Sequence, residues 1–375
     1  MRKKKILFIF GTRPEAIKLY PLIKTLNKDF RLIICSTAQH TSMLQQVLSL
    51  FKINVDFNLK IMKKNQDLFH ITSNALTKIK LVIRKTKPDL VLVQGDTTSA
   101  FVGALSAFYY QIPVAHVEAG LRTNNLYSPF PEELNRQFIS KISKFNFCPT
   151  NLSRINLKNE NIKKNIFVTG NTVVDCIKIL ESKIDTYKFK NIRIKKIYDD
   201  KNKKFLNKVI LITLHRRENL KSNINNIVKA IKKLSNLYKE FLFVFPIHKN
   251  PKLREIVLDN LKDKTNILIT EPLDYLENLK IIKNSYFIIS DSGGIQEEAP
   301  YFGTPLILTR EDTERPEGIK SLNSILVGGD KNKILYFSKK LINDIKFYKK
   351  YSSRRFPYGD GNASKRILNI LKKYL

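Results

Sequence analysis

Cysteine is scarce in this sequence. The 375 residues include three cysteines, Cys35, Cys148 and Cys176, which lie far apart and form no C-x-x-C pair. An odd number of cysteines at this spacing excludes a disulfide framework and a cysteine-ligated zinc site. The pattern is typical of a reducing compartment, so we expect a cytoplasmic protein.

Long apolar runs are also absent. No run approaches the roughly 18 residues that a membrane-spanning helix needs. The basic start, Met1-Arg-Lys-Lys-Lys5, is like that of a signal peptide, but the apolar stretch after it covers only residues 6–10. A signal peptide needs about 7–15 apolar residues before its cleavage site. We therefore expect no signal peptide and no membrane insertion.

Two common nucleotide-binding signatures are missing. The sequence contains no G-x-G-x-x-G and no G-x-x-x-x-G-K-[ST]. The first signature is typical of tightly bound NAD, and the second of P-loop phosphoryl transfer. Both chemistries are therefore disfavoured.

Negative charge is in short supply. The chain has 33 acidic and 67 basic residues, so its formal net charge is +34. Such an excess suggests nucleic acid or an anionic membrane surface as a partner. However, 51 of the basic residues are lysines spread along the chain, and 16 are arginines. Phosphate readers usually concentrate arginine in one patch, whereas an AT-rich genome enriches lysine everywhere. We expect no nucleic-acid partner, although the charge alone does not decide this.

The apolar segments predict an α/β fold. Strands at 5–10, 32–36, 88–94 and 113–117 alternate with helices at 14–29, 42–51, 68–85 and 98–109, and a similar alternation resumes after residue 208. Strands that are apolar throughout are typical of a parallel sheet covered on both faces. The length suits two domains. We therefore predict two Rossmann-like domains that face each other across a cleft.

The predicted domains are 1–180 and 205–360. Residues 185–207 are rich in lysine, aspartate and asparagine, which is typical of a linker. Apolar spacing predicts two further helices. One follows Pro131, and its apolar stripe is Leu134, Phe138, Ile142 and Phe145. The other covers residues 362–375 and can pack on either domain, including back on the first.

Ligands of open α/β sheets bind beyond the carboxyl ends of the strands. After the first strand, Gly11 permits a sharp turn, and Pro14 begins a helix whose free N–H groups favour an anion. Arg13 and Lys18 would add positive charge there for a phosphate. The alternative is an ordinary strand–turn–helix connection with an exposed arginine.

Three carboxylates, Asp96, Glu118 and Glu132, occupy successive sheet-end positions of the first half. Carboxylates that share one cleft raise one another's pKa and can transfer protons. Structural alternatives exist, since Asp96 can cap the next helix and Glu132 can pair with Arg136. His116 and Glu118 form an H-x-E pattern, but the P-C-x-x-C of a zinc deaminase is absent, so we expect no metal site.

The second half offers cationic and amide groups. His215 follows its first strand and would face the cleft, although a lone histidine is often structural. Ser292, Gly293 and Gly294 predict a tight turn onto a helix N-terminus, which suits a diphosphate. Glu298, one turn into that helix, can accept hydrogen bonds from both hydroxyls of a ribose. These groups and the carboxylates together favour a nucleotide sugar as the ligand.

Seven segments carry a resemblance to a known family. They are Gly11-Thr-Arg-Pro-Glu-Ala-Ile-Lys18, Gln94-Gly-Asp-Thr-Thr98, His116-Val-Glu-Ala-Gly-Leu-Arg-Thr123, Pro131-Glu-Glu-Leu-Asn-Arg136, Thr213-Leu-His-Arg-Arg-Glu-Asn219, Ser290-Asp-Ser-Gly-Gly-Ile-Gln-Glu-Glu-Ala-Pro300 and Thr313-Glu-Arg-Pro-Glu-Gly318. In content and order they resemble the non-hydrolysing UDP-N-acetylglucosamine 2-epimerases.

The resemblance implies a fold like that of the GT-B glycosyltransferases, a cytoplasmic homodimer, and no metal or NAD. It implies the reversible interconversion of UDP-GlcNAc and UDP-ManNAc. In the implied chemistry, UDP is eliminated across C1–C2 to give an enzyme-bound 2-acetamidoglucal, and UDP then adds back while C2 is reprotonated on the opposite face. The product would supply an envelope polysaccharide, such as enterobacterial common antigen or lipopolysaccharide.

The resemblance also assigns roles to single positions. Asp96, Glu118 and Glu132 match the catalytic carboxylates, and His215 matches the histidine near the UDP. The nucleotide-sugar positions are Arg13, Lys18, Ser292, Gly293, Gly294, Glu298 and Arg315. Two segments depart from the family pattern, Thr37-Ala-Gln-His40 and Asn65-Gln66. Many members carry an arginine where Asn65 stands, within a second UDP-GlcNAc site, so allosteric activation is left open.

Other functions fit parts of the sequence. A hydrolysing relative would release ManNAc and UDP, but such enzymes depart from the segments around Asp96 and Glu118. A GT-B glycosyltransferase would share the second-half nucleotide site without needing all three carboxylates. A nucleic-acid binder rests on charge alone, and a modified sugar substrate also remains open.

Overall fold

The computed structural model describes residues 2–38, 41–63, 67–216 and 223–375, without the side chains of Thr41 and Ser42. The chain forms two compact units. Unit 1 comprises Met1–Ile179 and Tyr358–Leu375, and unit 2 comprises Leu180–Pro357. None of the helices within the described ranges is long and apolar enough to cross a membrane.

Unit 1 contains a parallel sheet of seven strands. In chain order they are β1 (Lys5–Phe10), β2 (Arg31–Ser36), β3 (Phe57–Asn58), β4 (Leu90–Gln94), β5 (Val114–Val117), β6 (Phe145–Cys148) and β7 (Ile166–Val168). The spatial order is β3-β2-β1-β4-β5-β6-β7. From β1 the chain adds strands toward one side of the sheet, and from β4 it adds them toward the other side. The switch point at which such folds bind ligands therefore lies beyond the carboxyl ends of these two strands.

Helices surround this sheet. They are α1 (Arg13–Leu26), α2 (Thr41–Phe51), α3 (Leu68–Thr86), α4 (Thr98–Tyr109), α5 (Glu132–Ile142), α6 (Asn151–Asn159) and α7 (Thr172–Thr186), which runs on into unit 2. Residues 6–10 of β1 have no exposed surface, because helices cover both faces of the sheet.

Unit 2 contains a second parallel sheet, of six strands. Its elements are α8 (Ile192–Lys195), β8 (Tyr198–Asp199), β9 (Lys204–Phe205), β10 (Lys208–Thr213), α9 (Ile224–Leu237), β11 (Phe241–Pro246), α10 (Pro251–Leu261), β12 (Ile267–Thr270), α11 (Tyr275–Asn284), β13 (Phe287–Ser290), α12 (Gly293–Phe302), β14 (Leu306–Leu308), α13 (Glu317–Lys320), β15 (Ser324–Leu326), α14 (Lys331–Asn343) and α15 (Ile345–Tyr351). The order β12-β11-β10-β13-β14-β15 places the switch point between β10 and β13.

The polar stretch 185–207 differs from the linker that its composition predicts. It forms α8 and the antiparallel pair β8–β9. Four of its large apolar side chains are buried in a core of unit 2, namely Phe189, Ile194, Tyr198 and Phe205. The rings of Phe189 and Tyr198 also lie over Nζ of Lys280, at 5.0 and 4.2 Å. A few well-spaced apolar residues therefore fold a segment that looks polar as a whole.

Of the four stripe residues predicted for α5, Ile142 packs against the core of unit 1, but the other three were wrongly assigned. Phe145 belongs to β6, while Leu134 and Phe138 are 39% and 49% exposed. The buried residues of α5 are instead mostly polar: Glu133, Asn135, Arg136, Ile139 and Ser140. A helix can bury polar side chains when they find hydrogen-bond partners, and these partners are described below.

The C-terminal helix α16 (Ala363–Tyr374) belongs to unit 1 and packs against α1. The Lys372 ammonium binds Asp29 at 2.7 Å, and the Tyr374 ring contacts Phe145 and Phe167. The end of the chain thus returns to the sheet from which the chain begins.

Candidate active site

In unit 1, Glu15 organises the turn between β1 and α1. The backbone N–H groups of Gly11 and Thr12 donate to its Oε2 at 3.0 and 2.8 Å, and Oγ1 of Thr97 donates to its Oε1 at 2.7 Å. Burial raises the pKa of Glu15 to about 7. This carboxyl group ties the N-terminus of α1, where Arg13 is the first helical residue, to the loop after β4.

Gly11 is needed in this turn because of close packing. A Cβ atom there would lie 2.3 Å from Oγ1 of Thr37 and from Oγ of Ser99. The two hydroxyl groups are 2.7 Å apart and hydrogen-bonded to each other. Any larger residue at position 11 would separate them.

Glu118 directly follows β5 and is held by two side chains. Nζ of Lys18 and Nε2 of Gln94 each lie 2.5 Å from its Oε2, and all three residues are buried. The φ angle of Glu118 is +68°, in the left-handed region that non-glycine residues rarely adopt. Strain of this kind is common at functional sites, where surrounding contacts maintain it.

Asp96 follows β4 and is bound by α5. Nη2 of Arg136 lies 2.5 Å from its Oδ2, and Nδ2 of Asn135 donates to its backbone oxygen at 2.9 Å. Nη1 of Arg136 also lies 3.2 Å from Oε2 of Glu133. The cap of α4 is Thr97, whose hydroxyl accepts from Ala100 N, so the alternative that Asp96 caps this helix is wrong.

His116 is a fully buried neighbour of these groups. Its Nε2 donates to the backbone oxygen of Gly95 at 2.7 Å, and burial lowers its pKa to about 4. The imidazole is therefore neutral near pH 7. Throughout the described part of the chain, no group of three or more His, Cys, Asp or Glu side chains could hold a metal ion.

The structure brings the candidate groups of unit 1 to one edge of its sheet. Strands β4 and β5 are paired, so Asp96 and Glu118 follow neighbouring strand ends. Glu132 is the partly buried first residue of α5, one turn before Arg136, which contacts Asp96. An acid at this position also suits the helix dipole.

In unit 2, His215 is paired with an aspartate. Its Nδ1 lies 2.7 Å from Oδ1 of Asp291, which is fully buried and also accepts from the backbone N–H groups of His215 and Arg216. This geometry places the imidazole proton on Nδ1. The side chain is 40% exposed, which leaves Nε2 to meet a ligand.

The N-terminus of α12 is flanked by two guanidinium groups. Ser292 is the N-cap, and Gly293 and Gly294 begin the helix. A Cβ atom at Gly293 would lie 3.3 Å from Nη1 of Arg315 and 3.4 Å from Nη2 of Arg216. Helix N-termini and guanidinium groups both bind phosphate oxygens, so this arrangement suits a diphosphate.

Acidic side chains hold these arginines. Nε of Arg315 lies 2.6 Å from Oε1 of Glu297, and its Nη1 contacts Glu314. Nη2 of Arg310 lies 2.9 Å from Oε2 of Glu314. Burial lowers the pKa of Arg310, and its Nη1 has no hydrogen-bond partner among the residues that the structure describes. Glu298 is buried one turn into α12.

Sequence reasoning missed several of these residues, namely Glu15, Gln94, Glu133, Arg216, Asp291 and Arg310. Gln94 and Asp291 offered a signal, because each is a polar residue at or directly after the end of an apolar strand. The others make contacts that depend on tertiary packing. The departure in Thr37-Ala-Gln-His40 is at Ala38, which is buried and has a φ angle of +54°, in the left-handed region. Gln39, His40, the second departure at Asn65-Gln66, and residues 217–219 lie outside the described residues.

The two units carry different chemistry. Unit 1 supplies carboxylates bound to buried cations, which can exchange protons with a substrate carbon. Unit 2 supplies a helix N-terminus, an oriented imidazole and guanidinium groups, which can stabilise negative charge on a phosphate leaving group.

Known proteins share this chain's sequence and fold. The family model described as UDP-N-acetylglucosamine 2-epimerase matches residues 24–372. The UDP-N-acetylglucosamine 2-epimerase of Bacillus subtilis is 45% identical over 374 residues, which cover 99% of this chain and 96% of that protein.

Solved structures extend the comparison. The UDP-GlcNAc 2-epimerase of Neisseria meningitidis, bound to UDP-GlcNAc, has a TM-score of 0.92 and 45% identity, covering 98% of this chain and 100% of that one. The enzyme of Methanocaldococcus jannaschii, in complex with UDP-GlcNAc and UDP, has a TM-score of 0.85 and 35% identity, covering 99% and 100%. The chain therefore belongs to the UDP-N-acetylglucosamine 2-epimerase family of isomerases, which confirms the resemblance and the GT-B-like α/β fold predicted from its sequence.

Proposed function

We propose that this chain interconverts UDP-GlcNAc and UDP-ManNAc by elimination and re-addition of UDP. One observation carries the mechanism. Two carboxylates lie at neighbouring strand ends, and each is bound by a buried cation, Asp96 by Arg136 and Glu118 by Lys18. The substrate class is supported by the Neisseria meningitidis relative, whose structure contains UDP-GlcNAc.

The carboxylates of unit 1 perform the proton transfers in this proposal. One group removes the C2 proton while the C1–O bond breaks, and the electron pair leaves with UDP. The C1=C2 double bond of 2-acetamidoglucal forms. Re-addition of UDP at C1 is accompanied by protonation of C2 from the other face. Acid–base groups are needed on both ring faces, and we assign them to Asp96, Glu118 and Glu132.

The groups of unit 2 hold the nucleotide in this proposal. The diphosphate gains charge as the C1–O bond breaks, and fixed donors aimed at that charge accelerate the step. We assign this role to His215, Ser292, Gly293, Gly294 and Arg315. Glu298 accepts from the ribose hydroxyls, and Arg13 and Lys18 contribute further contacts to the nucleotide sugar.

Turnover of UDP-GlcNAc in deuterated water tests the proposal. The proton NMR spectrum should show UDP-ManNAc, with deuterium at C2 of both epimers. Complete retention of the C2 proton would instead indicate hydride transfer. Release of free ManNAc with UDP would indicate a hydrolysing enzyme, and sugar transfer only after addition of an acceptor would indicate a glycosyltransferase.

We also propose a homodimer. Large apolar side chains of α4 and α5 are exposed on unit 1, among them Phe108 at 53%, Tyr109 at 65% and Phe138 at 49%. Exposed apolar patches of this kind mark protein interfaces, and two-fold homodimers are the commonest oligomers. Sedimentation should show a dimer that Phe138→Lys dissociates. Phe356→Lys, at an exposed apolar residue of unit 2, should leave it intact. A monomeric wild type would contradict the proposal.

A cytoplasmic role in supplying an envelope polysaccharide completes the proposal. All three cysteines are buried and none of them forms a disulfide, which suits a reducing compartment. Cell fractionation tests the location. Loss of ManNAc from the envelope polymer after gene deletion tests the role.

A further inference from the structure

The Gly95–Asp96 turn is bonded to surrounding side chains at three points. His116 donates to the oxygen of Gly95, Asn135 to the backbone oxygen of Asp96, and Arg136 to its carboxylate. Two of these three donors belong to α5, the helix that begins with Glu132. The same helix therefore carries one proposed acid–base group and holds another.

Arg136 is itself held in place. It is 3% exposed, and Glu133, which has no exposed surface, binds its Nη1. Glu133 is oriented in turn by the backbone N–H of Thr123 at 3.1 Å and by Nε2 of Gln137 at 3.2 Å. The planar guanidinium spans the two carboxylates, Asp96 and Glu133. A lysine ammonium, which is a point charge, lacks this fork geometry.

We propose that Arg136 is a positioning residue of the epimerisation, which orients Asp96 relative to Glu132, and that Glu133 orients Arg136. The inference rests on the proposed function. Misplacing a reacting group by about 1 Å can cost on the order of 10²-fold in rate. A carboxylate fixed to the helix that carries its partner keeps the distance between them as the substrate binds.

A double-mutant cycle tests this inference. Arg136→Met should lower kcat by about 10–10²-fold and change KM by less than about threefold, because Arg136 acts through Asp96 and not on the nucleotide. In an Asp96→Asn background the same substitution should lower kcat by less than about threefold, since residues that act as a unit are not additive. Multiplicative losses would overturn the inference.

Arg122→Met supplies the matched control. Arg122 is likewise buried in unit 1, and it forms a two-point ion pair with Glu160 at 2.5 and 2.8 Å, whereas Arg136 pairs with Asp96. We expect a lower melting temperature for this variant with kcat retained. An equal loss of kcat in Arg122→Met and Arg136→Met would show that Arg136 is merely structural.

Conservative variants keep the test decisive if Arg136→Met does not fold. Arg136→Lys should recover only part of kcat, and Glu133→Gln should lower kcat less than Arg136→Lys does while KM stays unchanged. Full activity of Arg136→Lys would overturn the inference. An inactive wild type would refute the proposed function instead, so the two failures are distinguishable.

Discussion

Nζ of Lys18 lies 2.5 Å from Oε2 of Glu118, and the two side chains are only 8% and 4% exposed. The pair joins α1 to the end of β5 and is reinforced by Gln94. The resemblance assigns Lys18 to the nucleotide sugar and Glu118 to proton transfer. A residue of the first role therefore directly contacts a residue of the second.

Removing either partner should have a distinct effect. Glu118→Gln should lower kcat by about 10² or more, in the range of general acid–base contributions, while UDP affinity is retained. We expect the same of Asp96→Asn and Glu132→Gln.

Lys18→Gln should lower both kcat and the free energy of unfolding. We expect the free energy of unfolding to fall by about 3–5 kcal/mol, because the substitution leaves the buried charge of Glu118 without its partner. Steady-state kinetics and chemical denaturation measure these changes.

Lys372→Gln is the control for the Lys18 variant. It breaks an ion pair with Asp29 in which both side chains are partly exposed. Its effect on the free energy of unfolding should stay below about 1 kcal/mol. If Lys18→Gln were no worse than this control, the buried pair would have no special role.

Arg216 should contribute to UDP binding. Its Nη2 lies beside the N-terminus of α12, close to Arg315. Arg216→Gln should weaken UDP binding about tenfold or more, which corresponds to about 1.4 kcal/mol, as measured by calorimetry. Arg354→Gln removes an exposed arginine of the same unit, paired with Glu181, and should leave the affinity unchanged. Equal affinities for wild type and Arg216→Gln would place the diphosphate elsewhere.

His116 should make stability depend on pH. Its folded-state pKa of about 4 lies below the ordinary value of 6.5. Between pH 4 and pH 6.5, the imidazole is therefore protonated in the unfolded chain but not in the folded chain. The free energy of unfolding should therefore fall as the pH is lowered from 6.5 to 4, by at most about 3 kcal/mol from this residue. His116→Gln should flatten the dependence in that window, measured by denaturation at several pH values. An unchanged slope in His116→Gln would contradict the assignment.

Local sequence predicted the main elements of the fold well. The strand at 5–10 and the helix at 98–109 form as predicted, because unbroken apolar runs and small-residue spacing specify them locally. Two predictions were wrong because the local composition did not indicate which side chains are buried. Residues 185–207 are mostly polar and were predicted as a linker, but four of their apolar side chains are buried in unit 2. The apolar residues Leu134 and Phe138 of α5 remain exposed, because its polar residues take the inner face.

Motifs placed the candidate groups at strand ends, but could not say which side chain each one contacts. Arg136 illustrates the limit. Its four-residue spacing from Glu132 suggested an ion pair within the helix, but the spacing gave no sign of the contact with Asp96, 40 positions away in the chain. Such contacts are set by the order of strands in the sheet and not by neighbouring residues.

The sequence by itself determined the alternation of strands and helices, the parallel sheets and the family, because apolar periodicity and motif order are local properties. Only the tertiary structure decided the pairings, such as Lys18 with Glu118, Asp96 with Arg136, and His215 with Asp291. The physical reason is that a buried charge or polar group must find a partner wherever the fold brings one within hydrogen-bond distance. That distance depends on how β1, β4, β5 and α5, or β10 and β13, pack together, which no single segment of the chain specifies.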